Sequence, residues 1–126
     1  MMPRAAVTTA EIARPAGPFS PAIVSDGVLY VSGQVAQDPA TGALVGDDAA
    51  AQAEQVLRNA AAILRAAGKD LSHVVRVGVF LTDIADFQSV NAVYARHFEA
   101  PYPARTTVAV SALPLGARVE MEFIAR

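Results

Sequence analysis

Cysteine is absent from this 126-residue chain. The chain therefore holds no disulfide, no thiolate nucleophile and no sulfur-ligated metal, and cysteine sets no compartment. Charge is scarce too: 17% of residues are charged and 53% are hydrophobic, where an average soluble domain has about 25% charged residues. Lysine is reduced to Lys69 against nine arginines, and the net charge is −2. No basic cluster results, which argues against a groove that displaces counterions from nucleic acid. Nor does any apolar run approach the roughly 18 residues of a membrane helix. With a mean hydropathy of +0.33 and no membrane to enter, the surplus apolar surface needs another destination. A subunit interface is the simplest one. The opening stretch, MMPRAAVTTAEIARPAG, lacks the continuous apolar core of a secretory signal. Its small residues and two arginines allow an organelle transit peptide, but Glu11 and its shortness count against one, so the expected compartment is the cytoplasm. The length is that of a single domain, residues 1–126.

What is present reads as alternating strands and helices, without repeats or low-complexity tracts. RPAGPFSP (14–21) is a proline-stiffened loop. AIVSDGVLYVSG (22–33) predicts a hairpin whose Asp26-Gly27 turn needs positive φ. DPATG (38–42) is a further turn. Over 48–67 the apolar residues Ala53, Val56, Leu57, Ala60, Ile63, Leu64 and Ala67 recur every three or four positions, which predicts a helix. Gln52, Gln55, Arg58, Asn59 and Arg65 fall mostly on its opposite, polar side. Asp47 or Asp48 can cap its start and Gly68 can end it. VVRVGVFLT (74–82) predicts a strand, 84–98 a second helix with Phe87, Val90, Tyr94 and Phe98 on its apolar stripe, and 105–111 and 118–125 two last strands. The order implies two right-handed βαβ crossovers, both helices on one face of one sheet, and a second face without cover.

Alternation then sorts the strand residues. In the 74–82 strand Val75, Val77, Val79 and Leu81 share the apolar side. If every apolar set meets the helices, the second face collects Ser32, Arg76, Arg105, Thr107, Glu120 and Glu122, with Tyr30, Phe80 and Ala109 among them. Two readings of that face stand side by side. One is a solvated sheet face, common in antiparallel sheets. The other is a subunit interface that encloses a few polar groups. Elsewhere the chemistry is thinner. His73 and His97 have no carboxylate at ligand spacing and read as surface or capping residues rather than metal ligands. Gly33 belongs to no phosphate-binding glycine motif. Ser32 has no nucleophile-elbow context.

Five blocks of sequence carry a resemblance. GPFSP, VLYVSGQ, TDIADFQSVNAVY, YPARTTVAV and ALPLGARVEMEFIA together resemble the RidA/YjgF family of enamine/imine deaminases, in family order, from about residue 15 to the end. The most specific part runs from Pro103 to Met121. The resemblance implies an α+β, chorismate-mutase-like fold: one mixed β-sheet with two helices on one face, forming a homotrimer with clefts between subunits. It implies hydrolysis of reactive 2-enamine and 2-imino acids, such as 2-aminoacrylate and 2-iminobutyrate, to 2-keto acids and ammonia, with no metal or organic cofactor. Partners would then be small imino and keto acids and further copies of the chain, with no nucleic acid and no membrane. By the same resemblance Arg105 is the substrate-carboxylate arginine and Glu120 the residue that positions or activates water. Ser32 lines the site with the Gly33 backbone nearby. Asn91 lies near the cleft, and Thr107 contacts substrate through its backbone. Phe19 falls where the family often has Tyr and so lacks a hydroxyl. Thr107 stands where many members have Cys, and Thr106 is bulkier than the usual Ser or Ala.

Other functions compete with this one. The same trimer could bind a small carboxylate without turning it over, and Phe19 favours that reading. The apolar composition also permits a chaperone-like role. A translation-inhibiting ribonuclease activity, attached to some relatives, fits poorly with the acidic balance and the lack of a His pair or Lys patch.

Overall fold

The computed structural model describes residues 3–126. Strands β1 (Ala5–Val7), β2 (Ala22–Ser25), β3 (Val28–Gln34), β4 (Val74–Leu81), β5 (Ala104–Ala109) and β6 (Val119–Ala125) form one sheet in the order β1-β2-β3-β6-β4-β5. Every neighbouring pair is antiparallel except β4 and β5. Helix α1 (Ala49–Ala66) leads from β3 to β4, which run parallel with β6 between them. Helix α2 (Phe87–His97) leads from β4 to its parallel neighbour β5. Both helices therefore join parallel strands, as their order predicts.

Local chemistry sets the boundaries. The side chain of Asp48 accepts from the Ala51 amide at the start of α1, a standard N-cap. At its end the Gly68 and Lys69 amides return to the carbonyls of Arg65 and Leu64, the pairing of a Schellman motif. Asp26 and Gly27 both take left-handed φ values, 51° and 76°, the backbone a two-residue hairpin turn demands. A 3-10 turn, Ile84–Asp86, precedes α2. His73 caps another, Leu71–His73, by accepting from the Asp70 amide.

The core lies between the helices and one face of the sheet. Leu29, Val31, Val77, Val79, Leu81, Val119, Met121 and Phe123 are buried there with Val56, Leu57, Ile63 and Leu64 of α1 and Val90 and Tyr94 of α2. Full burial of each large aliphatic side chain is worth about 1.5–3 kcal/mol, so this layer holds the helices to the sheet. No element of the described residues covers the opposite face. It displays Tyr30, Ile124 and Arg76 in one row and Glu120, Phe80 and Val108 in another.

Four sequence expectations need correction. Strand β1 was not expected: three residues are too few to show alternation, and pairing with β2 recruits them to the sheet edge. Val75 does not continue the apolar face of β4. A register shift between Val74 and Arg76 leaves it exposed. Gln52 and Asn59 are not on a wet helix face. Both are buried, because each satisfies backbone groups that would otherwise lack partners. Gln52 donates to the Gly46 carbonyl at 3.1 Å and accepts from the Arg118 amide at 2.8 Å. Asn59 donates to the Gln37 carbonyl at 3.0 Å and accepts from Gln55 at 2.9 Å. The fourth correction concerns Arg105 and Thr107. They and Ala109 pair in register with Val77, Val79 and Leu81, which face the helices, so all three lie on the helix side of the sheet and not on the uncovered side. The apolar residue of β5 that faces away from the helices is Val108. The expectation failed because it assumed that only the helix face is apolar.

The role of Asn59 is measurable. Asn59→Ala strands the Gln37 carbonyl and opens a cavity, and should cost about 1–3 kcal/mol in urea unfolding. Arg58→Ala on the neighbouring exposed position should stay within about 0.5 kcal/mol. Equal effects at a fixed chain concentration would contradict the buried anchoring of Asn59.

Candidate active site

The residues singled out in the sequence fall into two groups, one on each side of the sheet. On the helix side, the Arg105 guanidinium donates to the Asn91 side-chain carbonyl on α2. It also lies over two aromatic rings, 4.7 Å from the centre of Tyr94 and 5.5 Å from that of Phe87. Asn91 and Tyr94 are three residues apart and Phe87 four before Asn91, so one face of α2 presents all three. Cation–π contact and the Asn91 bond hold a planar cation that a bare edge strand would leave mobile. The hydroxyl of Thr107, two residues further along β5, is buried and has no partner among the described residues. The Tyr94 hydroxyl is unpartnered in the same sense, and burial pushes its pKa up against the opposing influence of Arg105. β5 is an edge strand, so one side of its backbone is free to bond.

On the uncovered side stands Glu120. It pairs in register with Phe80 on β4. On β3, three steps from Val31 to Gln34 match two on β6, from Phe123 to Met121. This bulge brings the Gly33 backbone against the Glu120 side chain. A Cβ at position 33 would stand 2.9 Å from Glu120 Cδ, closer than real contacts allow, so the carboxylate occupies space that only glycine leaves. Burial pushes the Glu120 pKa up, and the like charge of Glu122 pushes it further. Ser32, within the bulge, donates its hydroxyl proton to the Ser20 carbonyl at 2.6 Å. Its oxygen is thereby left as an acceptor. Phe19, exposed in the proline-rich loop, lines a groove of about 290 Å³ together with Pro21, Gly33, Pro114, Leu115 and Glu120.

The structure thus gathers Arg105, Asn91 and Thr107 on one side of the sheet, and Glu120, Gly33 and Phe19 on the other with Ser32 beside them. It does not bring Arg105 and Glu120 together within one chain. Sequence reading missed Phe87 and Tyr94 as supports of Arg105. Their spacing to Asn91 on a predicted helix was the available signal, but it identifies a helix face without saying which strand that face meets. His97 lies apart from both groups. It bonds to Glu54 of α1 at 2.9 Å, with Arg96 3.8 Å from the same carboxylate. That environment lowers the Glu54 pKa, chiefly through the His97 bond.

Known proteins share this sequence and fold. A family model described as Endoribonuclease L-PSP matches residues 9–126. The protein DfrA of Myxococcus xanthus is 48% identical, over 98% of this chain and 96% of its own length. The human 2-iminobutanoate/2-iminopropanoate deaminase is 43% identical, over 97% of this chain and 89% of its own. The crystal structure of RidA from an Antarctic Psychrobacter superposes with a TM-score of 0.93 at 41% identity, covering 96% of this chain and 98% of that one. No helix of the described residues is long and apolar enough to cross a membrane. Sharing its sequence with these relatives over nearly its full length, and its mixed sheet and paired helices with their structures, the chain belongs to the RidA/YjgF family.

Proposed function

We propose that this chain is a cofactor-independent deaminase that hydrolyses 2-imino acids, and their enamine tautomers, to 2-keto acids and ammonium. It acts in the cytoplasm as a homotrimer of the chorismate-mutase-like type, with one site at each subunit boundary. The observation that carries the reading is the separation of an anchored guanidinium and a raised-pKa carboxylate onto opposite faces of one sheet. Each is half of a site. A second copy seated on the uncovered face brings its own complement, and the apolar side chains of Tyr30, Phe80, Val108 and Ile124 suit that face to such contact.

The net reaction is RC(=NH2+)COO− plus water giving RC(=O)COO− plus NH4+. Arg105 grips the substrate carboxylate with two parallel N–H donors, a grip that lysine cannot reproduce. This fixes the imine carbon relative to Glu120 of the neighbouring copy. Glu120 takes a proton from water as the oxygen bonds to that carbon, and the C=N electron pair moves onto nitrogen. Glu120 returns that proton to the amine of the carbinolamine; an oxygen electron pair then forms C=O as the C–N bond breaks, and ammonia leaves and takes up the hydroxyl proton as ammonium. Ser32, its proton already committed to Ser20, accepts a hydrogen bond from the departing nitrogen. A raised pKa makes Glu120 a stronger base than an ordinary carboxylate. The uncatalysed hydrolysis is itself fast, so positioning can supply most of the acceleration, each tenfold requiring about 1.4 kcal/mol. A relative named for 2-iminobutanoate and 2-iminopropanoate supports this substrate class.

Two outcomes are expected. Keto-acid release from imino acids made in situ by an amino-acid oxidase should be lost in Arg105→Ala and reduced by about a hundredfold or more in Glu120→Gln. Unfolding the two variants together and refolding them as a mixture should restore about one quarter of the wild-type sites, because a site between subunits takes one group from each copy. A mixture as inactive as its components would place both groups in one chain. The second outcome concerns pH. A base is lost when protonated, so kcat/KM should fall as pH drops through the Glu120 pKa, above the ordinary glutamate range. Glu122→Gln removes the like charge and should move that limb to lower pH. A limb that stays in place, or moves up, would exclude Glu120 as the titrating group.

A further inference from the structure

The groove beside Glu120 is apolar along most of its length. Ile12, Phe19, Val35, Pro114 and Leu115 line it, and Glu120 is its single ionisable lining group among the described residues. Two of these residues stand out. Leu115 adopts a left-handed backbone, with φ of 61°, a conformation unfavourable for any residue bearing a Cβ. Its side chain lines the groove while 59% exposed, in company with Phe19 at 54%. A strained backbone that presents a leucine to solvent beside a candidate catalytic carboxylate has no evident value for the stability of the single chain.

Resting on the deaminase reading above, we propose that this groove receives the substrate's side chain. Leu115 and Phe19 then make the enzyme select 2-imino acids with large apolar side chains, such as those formed from leucine and phenylalanine, over the one formed from alanine. The chemistry of the reacting carbon points this way. That carbon carries three substituents: the carboxylate, assigned to Arg105; the nitrogen, assigned to Ser32; and the side chain. Water delivered by Glu120 reaches the carbon only if it lies against the Glu120 carboxylate, and the third substituent then starts beside the groove that this carboxylate lines. Volume agrees. An apolar cavity of about 150 Å³ holds a benzene ring, so about 290 Å³ accepts an isobutyl or benzyl group, whereas a methyl group leaves most of the space to water. One methylene in such a pocket discriminates by about 10–200-fold.

The test compares kcat/KM for imino acids produced by an amino-acid oxidase from leucine, phenylalanine and alanine, with imino-acid production matched by oxygen uptake. Wild type should favour the two larger substrates by at least about tenfold. Leu115→Ser should shrink that ratio severalfold, and Leu115→Met should largely retain it. Acceleration of all three donors to the same extent overturns the inference and leaves the deaminase reading intact. Absence of acceleration with every donor overturns both. If Leu115→Ser shifts the oligomeric state on a sizing column and leaves the ratio as it was, the groove is a subunit contact and the inference fails. Should Leu115→Ser not fold, the wild-type ratio alone still decides.

Discussion

A β-sheet stands between Arg105 and Glu120, and most of what the molecule can do follows from that. Side chains along a strand alternate faces, so register fixes which side each residue serves. Arg105 is in register with Val77 and therefore looks toward the helices. Glu120 is in register with Phe80 and looks away. No rotamer change carries either side chain through a packed sheet. Whatever chemistry needs both groups must be completed by another copy of the chain, which is why the proposed site and the proposed assembly stand or fall together.

Each half is held by a chain of local support. Arg105 sits on an edge strand, where an arginine side chain ordinarily keeps most of its rotamer freedom. The rings of Phe87 and Tyr94 and the carbonyl of Asn91 remove that freedom before any ligand arrives. The entropy is lost on folding rather than on binding. Helix α2 is tied in turn to α1, since Glu54 meets His97 and Arg96. These contacts are partly exposed, so each is worth well under about 1 kcal/mol. Because the Glu54 pKa is lowered on folding, their contribution is present above the unfolded carboxylate pKa and is lost as pH falls through the folded one. On the other side of the sheet the supporting element is the β3 bulge. It sets a glycine under Glu120, and the carboxylate fills the space where a side chain would have been.

The sequence showed the secondary elements well and their faces less well. The cap at Asp48, the stop at Gly68 and the turn at Asp26-Gly27 are local signals, decided by a few neighbouring residues, and all three appear where they were expected. Gln52 and Asn59 misled because a helical polar residue looks the same whether water or a loop carbonyl satisfies it. Strand β5 misled for a deeper reason. Reading apolar as inward holds when one face of a sheet is wet. Here Val108 points away from the helices and Arg105 points toward them, so apolar surface and polar chemistry occur on both faces. Short blocks of sequence still identified the candidate residues, since residue type and spacing survive when the direction of a side chain cannot be read.

Glu120 shows what such a site costs the fold. A carboxylate whose pKa is raised on folding is held more easily as the acid than as the anion. The stability associated with its burial is present below the unfolded pKa and is withdrawn as pH rises through the folded one. Above that pKa the chain gives up stability to hold Glu120 as the anion, as expected of a group retained for chemistry rather than for packing. In the proposed trimer two further effects oppose each other. A neighbouring copy laid over the face excludes more water and raises the pKa again, while the approach of its Arg105 lowers it. A bound carboxylate partly neutralises that guanidinium, so substrate itself weakens the lowering effect. The substrate's iminium also brings a positive charge to the reacting carbon beside Glu120, which favours the charged carboxylate as the substrate seats, an influence that neither half of the site has alone.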